Sequence, residues 1–153
     1  MKRHRQLRPG NQGLRVSCGL TLALICSSLI TTSLQAEDWP HFRGPNCAGI
    51  SNSTKSLPVK FSDKKNVRWS AKVGDGVGCP VVAAGRVFVC EMLDAQTVAL
   101  TGYDLKSGKQ LWQRSWKTGS IAAVHKTNSH ASTTPAADAD RVYFYFSSLG
   151  MMA

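Results

Sequence analysis

The chain has 153 residues, and 19 Lys and Arg against nine Asp and Glu give it a formal net charge of +10. A balance so basic favours acidic partners such as polyanionic wall polymers or lipid head groups. It does not describe a nucleic-acid binder: the charges at Lys60, Lys64, Lys65 and Arg68 are scattered, the pattern of a solvated basic face.

Residues 1–36 read as a signal peptide. Five basic residues (Lys2, Arg3, Arg5, Arg8 and Arg15) precede the apolar run Leu20–Cys26, and Ser33-Leu34-Gln35-Ala36 offers a cleavage point after Ala36. The wider segment from Val16 to Leu34 is too rich in Ser, Thr, Gly and Cys for a good membrane span. Cleavage leaves 117 residues with 14 Lys and Arg and all nine acids, a net charge of +5. We therefore expect an exported protein, periplasmic or extracellular, with a membrane partner only if the segment is retained.

Residues 37–66 are rich in Pro, Gly, Ser and Asn without apolar periodicity, which predicts an irregular lead-in on the surface. Residues 67–153 change character. Short β-branched and aromatic runs recur between turn formers: Val67-Arg68-Trp69, Val81-Val82-Ala83, Arg86–Val89, Thr97–Leu100, Gln110-Leu111-Trp112 and Arg141–Phe146. Such spacing predicts an all-β fold. Gly74-Asp75-Gly76-Val77-Gly78 lacks the Gly-Lys-Ser/Thr ending of a phosphate loop and reads as a connection between strands.

An internal repeat is present. Pro80–Phe88 aligns without gaps on Pro135–Tyr143, a period of 55 residues, near that of a propeller blade with a longer loop inserted. With Ala84-Gly85 as a two-residue hairpin turn, Ala83 pairs with Arg86, Val82 with Val87 and Val81 with Phe88. Apolar residues then occupy both faces, as in a sheet sandwiched between neighbours. Extending that register sets Cys79 opposite Cys90. Two packed free thiols are the default expectation there, a Cys79–Cys90 disulfide the alternative, and Cys47 is unpaired in either case.

In Tyr103–Trp112 the Asp104 carboxylate is placed to accept backbone N–H groups in a turn, Gly108 to take the left-handed conformation that closes it, and the next strand to carry Trp112 to an interface between blades. With Ser107, these residues resemble the tryptophan-docking motif of the pyrrolo-quinoline-quinone-like (PQQ-like) repeat β-propellers, Gly102 standing where that motif has Ala. The segments Trp39–Asn46, Asn66–Trp69 and His125–Pro135 are similar, in the same order, to stretches of exported planctomycete-type members. The resemblance implies a partial propeller: one complete four-stranded blade from Cys79 to about Trp116, plus parts of its neighbours. It also implies an N-terminal fragment of a longer ring.

The family includes quinone-dependent dehydrogenases, whose quinone, calcium-binding set and adjacent cysteines have no counterpart identifiable in these residues. We expect no catalytic, cofactor-binding or metal-ligating set and no cofactor. The chain reads instead as a non-catalytic scaffold for a protein, peptide or polysaccharide partner, with a dehydrogenase fragment as the alternative. The one candidate ligand loop holds His125, Asn128, Ser129 and His130, for which bonding to the loop's own backbone is the expected role.

Overall fold

Short β-branched runs cut by turn formers fold here as antiparallel strands. The computed structural model describes residues 37–153; the predicted signal peptide and its cleavage point lie outside the described residues. Strands β1 (Val81–Ala83), β2 (Arg86–Asp94), β3 (Thr97–Asp104) and β4 (Gln110–Lys117) form one sheet in that order. Strands β5 (Ala136–Ala137), β6 (Val142–Phe146) and β7 (Gly150–Met152) form a second. Among the described residues no helix is long and apolar enough to cross a membrane.

The β1–β2 register is the expected one, Val81 opposite Phe88, Val82 opposite Val87 and Ala83 opposite Arg86. Its turn residues Ala84 and Gly85 both have positive φ, 48° and 72°, which matches the turn to the twist of the strands. Both faces are covered. Val81, Ala83 and Phe88 pack with Ala137 toward the second sheet. Val87, Val89 and Tyr103 line the opposite face with Trp69.

Two expectations are corrected. Val67-Arg68-Trp69 forms no strand. Its indole stacks at 6.4 Å on Tyr103, donates from Nε1 to the Leu105 carbonyl at 2.9 Å and lies against Gly108, so the backbone crosses over a turn instead of running beside a strand. After Trp69 the chain meets the sheet at Asp75, bridged to Met92. The lead-in, in turn, is not wholly irregular. Trp39 exchanges backbone hydrogen bonds with Val82 (2.8 and 2.9 Å), and the Pro40 carbonyl accepts from Ala137 N at 2.8 Å. Residues 38–40 thereby stitch β1 to β5 along one rim.

The core lies between the sheets. One cluster gathers Cys90, Met92, Val98, Leu100, Ala131, Phe144 and Phe146; the other gathers Val81, Ala83, Phe88 and Ala137. Trp112 packs against both.

Candidate functional site

The turn between β3 and β4 is built by its side chains. Asp104 Oδ1 accepts from Ser107 N at 2.7 Å and from the Ser107 hydroxyl at 2.6 Å, and Gly108 closes the turn at φ 71°. Hydrogen bonds from the Ser107 hydroxyl and then from its N–H hold the Asp104 carboxyl below its ordinary pKa. The second repeat uses the same device two hairpins earlier: Asp138 Oδ1 accepts from Arg141 N at 2.7 Å and Asp140 N at 2.8 Å, which lowers its pKa likewise.

That turn delivers Trp112 to the joint between the sheets, its ring centroid 5.8 Å from that of Phe88. A Cβ built on Gly102 would lie 2.6 Å from the indole, so glycine at this position lets the ring sit directly on the β3 backbone. Beyond Trp112 the sheets diverge into an open trough of about 390 Å³, walled by Trp112, Arg114 and Trp116 from β4 and by Val142, Phe144 and Met152 from the second sheet. Trp112, Arg114 and Trp116 share a strand face because they alternate. Sequence reasoning placed Trp112 at this joint but did not foresee the trough, which needs the relative placement of two sheets.

Three of the four residues of the candidate ligand loop bond within the loop. His125 Nδ1 is 2.8 Å from the Thr127 hydroxyl, Asn128 Oδ1 accepts from Ser129 N at 2.9 Å, and buried Ser129 Oγ accepts from Ala131 N at 3.1 Å. These bonds shape the loop itself. The Ala131 carbonyl then accepts from Val77 N and Gly78 N, so the loop docks on the Gly74–Gly78 stretch. Side chains at Gly76 and Gly78 would collide with the carbonyls of Cys90 and Thr133, which is the chemistry behind those glycines.

Sequence reasoning missed Glu91. It is 2 % exposed in the middle of β2 and accepts from the Thr101 hydroxyl at 2.5 Å, from Gln113 Nε2 at 3.2 Å and from Gly74 N. A carboxylate so placed ties β2, β3, β4 and the Gly74–Gly78 stretch together through neutral donors. A lone Glu in an apolar run is the signal by which it could have been found. The described cysteines are all free thiols. Strand pairing stops at Val81–Phe88, and Cys79 N turns away to donate to Thr134 Oγ1 at 3.0 Å, which leaves the Cys79 thiol exposed and Cys90 buried. Burial, then the neighbouring Glu91 charge, pushes the Cys90 thiol up to about 11.

Two sheets, each opened by the same repeated segment and sharing a docked tryptophan, are the geometry of consecutive propeller blades. The family model described as outer membrane protein assembly factor BamB matches residues 55–153, more than half of the chain. The chain belongs to that PQQ-like repeat family. Neither a curated protein nor a solved structure matches it. Within this BamB-family chain the matched span takes in both sheets, the Asp104–Trp112 turn and the His125–His130 loop, while Trp39–Thr54 precedes it.

Proposed function

We propose that the chain is a non-catalytic propeller scaffold working outside the cytoplasm, with a protein or peptide as its partner and the intersheet trough as the contact. The trough carries this reading. It presents two tryptophans, two arginines, a phenylalanine and a methionine on one concave surface, residue types enriched where proteins meet. Kinship with an outer membrane protein assembly factor supports the same direction, since the matched description is of a protein that acts on other proteins. The basic lead of a signal peptide supports export.

Photo-crosslinking tests it, with a photoreactive residue replacing exposed Arg114 in the full chain and another replacing Lys106, on the turn, as control. Arg114 should give discrete protein adducts that Lys106 does not. Adducts from neither position, or the same adducts from both, would overturn the trough as the contact. Titration of the same protein with pyrrolo-quinoline quinone and calcium should give no binding; stoichiometric binding would move the reading to the dehydrogenase alternative.

A further inference from the structure

The stretch from Lys55 to Lys72 holds six basic residues (Lys55, Lys60, Lys64, Lys65, Arg68 and Lys72) and a single acid, Asp63. Interleaved with them, Leu57, Val59, Phe61 and Val67 are 84, 95, 76 and 46 % exposed. Four bulky apolar side chains in water on one short segment, three of them (Val59, Phe61 and Val67) next to a cation, call for a partner. None of the six cations takes part in an ion pair, the one pair among the described residues being Lys117–Asp94.

The segment is held in place. Before it, Glu37 accepts from the Ser51 hydroxyl and from Asn52 N; after it, Trp69 is fixed on Leu105 and Tyr103. Between them a tight turn closes by reciprocal bonds, Ser62 N to the Lys65 carbonyl at 3.0 Å and Lys65 N to the Ser62 carbonyl at 3.2 Å. Asn66 Nδ2 also donates to the Lys60 carbonyl at 2.6 Å. Asp63 and Lys64 therefore form the tip, with Phe61 and Val67 on its flanks.

We infer that this segment is a docking surface for an anionic lipid bilayer. The lysines decide between lipid and protein. The buried centre of a protein interface is depleted of Lys, because each ammonium there loses its water. At a bilayer surface the same interleaving is favourable: apolar side chains enter the head-group and acyl boundary, while lysine stems lie along them and keep their ammonium groups at the lipid phosphates. Each cation near an anionic surface strengthens binding about fivefold, and apolar insertion of one Phe adds roughly tenfold or more. The inference stands apart from the trough and from what binds there.

Co-sedimentation of the full chain with vesicles tests it, comparing phosphatidylcholine with phosphatidylcholine containing phosphatidylglycerol. Binding should require the anionic lipid and weaken as salt is raised. Lys64→Ala with Lys65→Ala should lower the partition coefficient about 25-fold, and Phe61→Ser roughly tenfold. Both changes fall on exposed residues and leave residues 1–36 untouched; unchanged tryptophan fluorescence and near-UV circular dichroism will establish that the variants fold. Equal binding to neutral vesicles, or variants that bind as the parent does, would overturn the inference. So would loss with the lysine changes but not with Phe61→Ser, since that pattern describes a soluble polyanion such as an acidic wall polymer.

Discussion

The two sheets start from one frame and close it differently. Ala83 faces Arg86 in the first and Asp138 N bonds the Arg141 carbonyl in the second; Val82–Val87 and Val81–Phe88 correspond to Ala137–Val142 and Ala136–Tyr143. The register is the same at every aligned position. The turns are not: Ala84-Gly85 relies on positive φ at both residues, whereas the second relies on the Asp138 carboxylate capping two N–H groups. Strand pattern therefore fixes the register, and either turn chemistry closes it.

The largest break in this comparison comes from the element that both sheets share. Trp112→Ala removes packing from both core clusters and should cost about 3 kcal/mol, read as a lower denaturant midpoint at unchanged slope. A loss confined to one sheet's probes would mean that Trp112 belongs to that sheet alone.

Turn variants sharpen the contrast. Gly85→Ala forces an alanine into left-handed backbone at φ 72° and should destabilise by about 1 kcal/mol, an effect that the Asp-capped hairpin has no counterpart for. Asp138→Ala should instead raise amide exchange at Asp140 and Arg141 while leaving the Ala84-Gly85 turn unchanged.

Acid titration separates the sheets less strongly. Asp104 and Asp138 are held below their ordinary pKa by hydrogen bonds, so as pH falls the unfolded chain takes up protons before the folded one does. Their stabilisation is present above the ordinary Asp value of roughly 3.9 and disappears as pH drops through the lower folded values. Thermal midpoints measured against pH should show this acid limb, and Asp104→Asn should flatten it only in part, because Asp138 keeps its share.

The smallest effect is chemical. Cys47 and Cys79 should alkylate in the native protein and Cys90 only on unfolding. A Cys79–Cys90 linked peptide in a non-reduced digest would contradict the end of strand pairing at Val81.

Much of the first sheet was legible in the sequence because period, turn residues and repeat agree there. The Ala84-Gly85 turn, the Asp104–Gly108 turn and the position of Trp112 each rest on local chemistry, and local chemistry is what a sequence displays. Val67–Trp69 misled because a β-branched run is equally consistent with an unpaired segment once its tryptophan finds a platform at Gly108 and Tyr103. Glu91 was missed because its three donors come from Gly74, Thr101 and Gln113, which only folding brings together. For His125, Asn128 and Ser129 the expected role is bonding within their own loop, and their side chains make such bonds. The trough and the exposed Leu57–Val67 stretch depend on what covers each residue, which no pattern along the chain records.

Amide hydrogen exchange of the full chain and of Trp112→Ala tests most directly whether the two sheets are consecutive blades folded as one unit. In the parent, amides of β2, β3 and β6 should open together, in one cooperative step, while those of residues 55–68 exchange quickly. In Trp112→Ala the protection of β3 and β6 should fall by the same factor. Protection of β6 that is lost while β3 keeps its own would contradict the account, because the sheets would then be separate structures that happen to share a chain.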